Sequence, residues 1–412
     1  MLIELGKKAK AASRILNRLT TEQKNNALIA IADALIANTE FILQRNDCDL
    51  QNGVKNGMSK ALMDRLRLDA DRVASIADGV RKVADLPDPV GRILDDYTRP
   101  NGLHIIKTSV PLGVVGIIFE ARPNVSADSA ALCLKSGNAV ILRGGSDAIN
   151  SNAAICEIMR TSLEKSGLPA DAVQLVLDVS RESAVALMRM NNYVDVIIPR
   201  GGAGLIRAVV ENATVPVIET GAGTCHIYVD SEANIEMASK IIYNAKTSRP
   251  SVCNAAECML INRSIAKTAL PIIYKALSEK NVELRGDAEV LEIITDAVTA
   301  QDSDWGKEYN DYIMSCHIVE DVEEAVSFIN IYGTGHSECI VTENLLTADY
   351  FATNVDAAAV YHNASTRFTD GGEFGMGAEI GISTQKLHAR GPLGLNELTS
   401  MKYKIYGQGQ IR

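Results

Sequence analysis

The chain has no excess of positive charge: 41 lysines and arginines stand against 51 aspartates and glutamates, a net charge of −10. A general affinity for nucleic acid or anionic membrane is therefore not expected, and any phosphate site has to be assembled from a few local donors. The eight cysteines, at 48, 133, 156, 225, 253, 258, 316 and 339, include no C-x-x-C pair and do not alternate with histidines. No metal site is expected, and the pattern fits a reducing, cytoplasmic setting. Nowhere do about 18 uncharged apolar residues run together, and residues 1–10 hold no apolar core with a cleavage site. Neither a membrane span nor a signal peptide is expected. Repeats and low-complexity tracts are also missing. What remains is a chain of 412 residues, 47% hydrophobic, with ample material for full cores and a length that suggests roughly two to three domains.

The first 90 residues read as helices, with Thr20 and Gln23 placed for a capping box ahead of a face formed by Leu28, Ile31 and Leu35. Strands are expected over 92–98 and 103–108, joined by the turn sequence Pro100-Asn101-Gly102. Strand and helix then alternate. Apolar runs predict strands over 114–119, 139–142, 173–177, 194–198 and 215–218, with Ser126 and either Ser146 or Asp147 available as helix caps. Five strands with crossover helices indicate an α/β fold with a doubly wound parallel sheet, whose ligands bind at the carboxyl ends of the strands. A second α/β domain is expected from residue 226, with strands at 226–229, 258–261, 313–319, 339–341 and 357–361, and one more strand at 398–406.

Three stretches carry chemistry. Arg143-Gly144-Gly145-Ser146 and Arg200-Gly201-Gly202 each follow an expected strand. Both offer backbone N–H groups and an arginine to a cofactor phosphate. Neither matches G-x-G-x-x-G, and the plain alternative is a tight strand-to-helix turn. The third, Ser248-Arg249-Pro250-Ser251-Val252-Cys253-Asn254, puts a thiol in a short polar turn beside a positive charge. A thiol becomes a nucleophile as thiolate, which partly exposed electropositive turns favour. The plain alternative for Cys253 is a small buried hydrophobe.

Val114-Val115-Gly116-Ile117-Ile118 with Arg122-Pro123-Asn124, then Gly137-Asn138-Ala139-Val140-Ile141-Leu142-Arg143, then Cys253 resembles the aldehyde dehydrogenase superfamily in motif and order. Within it, four segments are similar to the gamma-glutamyl phosphate reductase (glutamate-5-semialdehyde dehydrogenase) family. They are Phe119-Glu120-Ala121-Arg122-Pro123-Asn124-Val125, Glu219-Thr220-Gly221-Ala222-Gly223-Thr224-Cys225-His226, Ser248 through Ala255, and Gly333-Thr334-Gly335-His336-Ser337-Glu338. The resemblance implies an aldehyde dehydrogenase-like fold, with a Rossmann-type cofactor domain over 1–91 and 109–225 and a catalytic domain over 226–392. A hairpin and C-terminal strand over 92–108 and 393–412 would then serve oligomerisation.

The implied activity is NADPH-dependent reduction of L-glutamyl 5-phosphate to L-glutamate 5-semialdehyde, the second step of proline synthesis. Cys253 is the implied nucleophile and Asn124 the oxyanion donor. Arg143, Gly144, Gly145, Ser146, Arg200, Gly201, Gly202 and Glu308 would hold NADPH or NADP+, and Arg122, Arg249 and His336 the substrate. Ser146 stands where relatives that prefer NAD carry a ribose-binding glutamate, so the resemblance favours NADPH. It further implies a homo-oligomer and a transient complex with glutamate 5-kinase. An oxidising or CoA-acylating aldehyde dehydrogenase, or a non-catalytic binding protein on the same fold, remain the alternatives.

Overall fold

Val-Val-Gly-Ile-Ile-Phe, six consecutive positions without a polar side chain, forms the fully buried strand Val114–Phe119. It lies inside a parallel sheet ordered Val173–Leu175, Ala139–Gly144, Val114–Phe119, Val196–Arg200, and burial on both faces is why its sequence reads as a continuous apolar run. The structure is a computed structural model that describes residues 2–412. The chain divides into two compact lobes. The first takes the described residues up to Thr220 together with Gly375–Gly381 and Leu393–Arg412; the second takes Gly221–Phe374 and Ile382–Pro392.

In the first lobe the fifth expected strand, over 215–218, is reduced to a single bridge between Ile197 and Val217. Pro216 has no N–H to give to a ladder, so only its carbonyl takes part, accepting from Ile197 N at 2.8 Å. Two capping expectations also change. The helix Asn124–Lys135 starts two residues before Ser126, directly after Pro123, whose φ of −56° is already helical; Ser126 is buried and donates to Asn152 at 3.0 Å. Neither Ser146 nor Asp147 caps the helix Ile149–Lys165, because a 3-10 turn, Ser146–Ala148, comes first. Its first turn is satisfied instead by Asp49, a buried carboxylate of the helix Thr39–Lys55, which accepts from Ser151 N at 2.8 Å and Asn150 N at 3.2 Å.

The helical lead-in comprises Leu2–Leu16, Thr21–Ala37, Thr39–Lys55, Lys60–Leu66 and Ala70–Asp85. Thr20 and Gln23 close the reciprocal capping box. No single helix among the described residues is long and apolar enough to cross a membrane. The hairpin Ile93–Thr98 and His104–Pro111 joins the C-terminal strand Thr399–Tyr406 in a three-stranded antiparallel sheet. It leaves Ile93, Leu94, Tyr97, Tyr403 and Ile405 exposed.

The second lobe begins at Gly221 rather than at 226, since Gly221 N donates to Ile382 O within that lobe at 3.0 Å. Its sheet has seven parallel strands, ordered Val298–Thr299, Glu283–Gly286, Ile313–Val319, Ala256–Asn262, Cys225–Val229, Ser337–Val341, Ala359–His362. The first two strands were not expected: Glu283-Leu284-Arg285-Gly286 has neither an apolar run nor a clean alternation. On one face of the sheet Ile227, Met259 and Ile261 pack against Ile242 and Ile273 of the helices Ile235–Thr247 and Ala266–Ser278. A stiff sheet of this kind fixes where the loops at its edges begin.

Candidate active site

The cysteine loop spans the gap between the helix Ile235–Thr247 and the central strand Ala256–Asn262 of the second lobe. Cys253 is half-buried and forms no disulfide. The loop is held from outside. Asn254, next to the thiol, is buried and donates from Nδ2 to the carbonyls of Thr369 at 2.9 Å and Arg367 at 3.3 Å. Its Oδ1 accepts from Arg367 Nη1, and its carbonyl accepts from Thr366 Oγ1 at 2.8 Å. Arg367 Nε reaches the start of the loop, donating to Ser248 Oγ at 3.0 Å. One short 3-10 turn, Thr366–Phe368, thus ties both ends of the loop.

Arg249, expected to supply the positive charge, is exposed, and Arg367 is the second cation of this loop. Burial, then repulsion from Arg249, holds the Arg367 guanidinium below its ordinary value, while Asp370 and Cys253 pull the other way. Sequence reasoning missed Arg367, which lies 113 residues from Asn254 with no local pattern to mark it.

Gly223 packs on the backbone of Cys253 from the other side. A Cβ at Gly223 would lie 1.5 Å from the Cys253 carbonyl oxygen, so only glycine fits without moving the loop. The Cys225 thiol donates to the same carbonyl at 3.3 Å. Glu308 Oε1 accepts from Gly223 N at 3.1 Å, and Thr334 Oγ1 accepts from Thr224 N at 3.0 Å. Glu308, expected on the cofactor ribose, therefore commits one carboxylate oxygen to the segment that supports the thiol.

Two further ionisable groups were also missed. Lys246, in the last turn of the helix before the loop, meets Glu257, in the strand after it, at 2.5 Å with both side chains fully buried. Burial pushes Glu257 up to about 7 and Lys246 down, each opposed by the other's charge. His336 is not on a surface loop. It has no exposed area, its Nδ1 lies 2.7 Å from Ser337 Oγ, and burial pulls it down to about 4, leaving it neutral near pH 7. Gly335 before it has a φ of +70°, a left-handed turn that favours glycine. The neighbours Cys225 and His226 point to opposite faces of their strand: the thiol faces the Cys253 carbonyl, and the imidazole Nδ1 lies 3.0 Å from buried Glu338.

In the first lobe, Asn124 opens the helix Asn124–Lys135 and is exposed, its Nδ2 donating to Asp128 Oδ2 at 2.9 Å. Half-buried Arg122 precedes it by two residues. Arg143, at the end of Ala139–Gly144, donates from Nη2 to the carbonyls of Val179 at 2.6 Å and Ser180 at 2.9 Å, and burial lowers its pKa. Its Nε is a buried donor with no partner among the described residues. Gly144 is hemmed in, since a Cβ would lie 2.3 Å from Asn152 Nδ2, whereas at Gly145 the nearest atom would be 3.8 Å away. Ser146 is exposed. An unpaired arginine N–H, an open glycine and a neutral hydroxyl at a strand's carboxyl end suit an anionic ligand such as a nucleotide phosphate.

The second glycine turn does not keep its donors free. Gly202 N, ahead of the helix Ala203–Asn212, donates to Glu120 Oε2 at 3.0 Å, and a Cβ at Gly201 would lie 2.8 Å from the same carboxyl group. A carboxylate is favoured at a helix N-terminus for the same reason that a phosphate is. Gly201 and Gly202, expected together with Arg200 to cradle a cofactor phosphate, face the Glu120 carboxylate in this structure.

The aldehyde dehydrogenase family model matches residues 4–292. The curated gamma-glutamyl phosphate reductase of Clostridium perfringens is 60% identical over 411 residues, covering 100% of this chain and 99% of the relative. The crystal structure of gamma-glutamyl phosphate reductase from Thermotoga maritima is 46% identical, with a TM-score of 0.98 over 100% of this chain and 99% of that one. An acetylating aldehyde dehydrogenase from Geobacillus thermoglucosidasius, 17% identical with a TM-score of 0.70 over 99% and 97% of the two chains, shares the fold. By a family match over most of its length and a full-length relative at 60% identity, the chain belongs to the aldehyde dehydrogenase family and, within it, to the gamma-glutamyl phosphate reductases.

Proposed function

We propose that the chain reduces L-glutamyl 5-phosphate to L-glutamate 5-semialdehyde and phosphate, with NADPH as reductant and Cys253 as nucleophile. An acyl phosphate is an activated carboxyl group. The Cys253 thiolate attacks its carbonyl carbon, the bond from that carbon to the phosphate oxygen breaks, and a thioester remains. When bound, the nicotinamide supplies the hydride that takes the acyl group to the aldehyde level. The Asn124 amide and the Cys253 backbone N–H donate to the oxyanion that forms as the carbonyl carbon becomes tetrahedral. Its collapse breaks the carbon–sulfur bond, releasing the aldehyde and restoring the thiolate. Arg122 and Arg249 are assigned to the phosphate, where their charge eases its departure. Arg143 and Ser146 would hold the adenosine end of NADPH, since a hydroxyl at 146 does not repel a 2′-phosphate as a carboxylate would.

The observation that carries this reading is the Cys253 turn, a half-exposed thiol on a loop braced from both sides. The apolar face left bare on the three-stranded sheet supports a homo-oligomer, and eight cysteines without a disulfide suit the cytoplasm. The complex with glutamate 5-kinase stays part of the proposal. NADPH oxidation with glutamyl phosphate, or the phosphate-dependent reverse reaction, tests it directly. Cys253→Ser should lose turnover by about 10,000-fold or more; substantial activity in that variant, or semialdehyde oxidation that proceeds without phosphate, would overturn the assignment.

A further inference from the structure

We infer that Asp128 is a positioning residue, one helical turn behind Asn124, that decides which way the Asn124 amide faces. This rests on the reading of Asn124 as the oxyanion donor. An amide presents two ends of nearly equal shape, one an acceptor oxygen and the other a nitrogen with two donors. For an exposed side chain at the start of a helix nothing local selects between them. Asp128 does, because Asn124 and Asp128 are four residues apart on one helix, where side chains meet, and Nδ2 lies 2.9 Å from Oδ2. An ionised carboxylate only accepts, so it attracts the amide nitrogen and repels the amide oxygen.

With one N–H held by Asp128 and the side chain exposed, the second N–H is left to donate to another oxygen. In the opposite orientation the carbonyl end would face that oxygen and repel a developing negative charge. The carboxylate has a defined setting of its own. A Cβ at Gly79 of the helix Ala70–Asp85 would come no closer to Oδ1 than 3.7 Å, so that helix leaves the carboxylate uncrowded, and the positive charge of Arg200 acts on it. Burial pushes the Asp128 carboxyl up to about 6, against the Asn124 hydrogen bond and the Arg200 charge, so it is ionised near neutral pH.

The test compares wild type, Asn124→Ala, Asp128→Ala, the double variant and the isosteric Asp128→Asn, measuring kcat and KM with glutamyl phosphate and NADPH, thermal midpoint, and the rate of Cys253 alkylation by iodoacetamide. Asp128→Ala should lower kcat by about 10-fold or more, as loss of an orienting partner does, with KM and alkylation rate little changed. Asp128→Asn should fall between wild type and Asp128→Ala, because its oxygen can still accept but its nitrogen admits the wrong orientation. The double variant should be no slower than Asn124→Ala alone, since the positioning residue acts only through the amide. Losses that multiply in the double variant, or full kcat in Asp128→Ala while Asn124→Ala is slow, would overturn the positioning role. Undiminished kcat in Asn124→Ala would overturn the reading of Asn124 itself.

Discussion

Gly223 and Gly145 both lie in short loops beside residues assigned to the chemistry, yet their surroundings are opposite. A methyl at Gly223 would collide with the Cys253 carbonyl oxygen at 1.5 Å, whereas a methyl at Gly145 would find its nearest neighbour at 3.8 Å. The first is a contact the protein makes with itself, and the second is room the protein leaves. The difference matches two demands. A nucleophile must be held within a fraction of an ångström of its working position, so the Cys253 loop is clamped by Thr366, Arg367 and Gly223. On the proposed reading a cofactor has to enter and leave at the turn after Arg143, which is open with Ser146 exposed.

Variants at these loops sharpen or break the contrast. The largest effect is expected at Asn124, where Asn124→Ala should cost on the order of 100- to 1000-fold in kcat, the usual loss of one oxyanion donor; stopped-flow NADPH oxidation measures it, and unchanged turnover rules the donor out. Gly223→Ala has to push the loop aside and should cost about 100-fold in kcat while leaving the KM for NADPH alone, as steady-state kinetics would report. Ser146→Glu should raise the KM for NADPH about 10-fold, a single mispaired charge, with little change for NADH. Equal effects on the two cofactors would discredit the assignment. The smallest effect belongs to Gly145→Ala, whose thermal midpoint should match wild type because nothing in the folded chain is crowded; a clear loss of stability would mean that the open space is an illusion. A Gly223→Ala variant with normal kcat would end the comparison.

Much of the fold could be read ahead of the structure where a signal is local. The run at 114–119, the turn sequence Pro100-Asn101-Gly102 and the pairing of Thr20 with Gln23 each act within a few residues, and each forms as read. The cysteine loop could be singled out because its thiol and its polar neighbours are contiguous. Failures came where a local signal was outbid: Pro216 silenced a strand whose apolar pattern was correct, and Asp49 reached the helix start that Ser146 was placed to cap.

The amino-acid order by itself determined the lobes' α/β character, the thiol set in a short polar turn, and the hydroxyl rather than carboxylate at 146, because these depend on which residues follow one another. Only the tertiary structure decided that Arg367 braces the Cys253 loop, that Glu257 and Lys246 form a buried pair beside it, that His336 is sealed away, and that Glu120 fills the helix end where a phosphate was expected. Those partners lie on separate segments, and which ones meet is set by how sheets and helices stack rather than by any pattern along the chain.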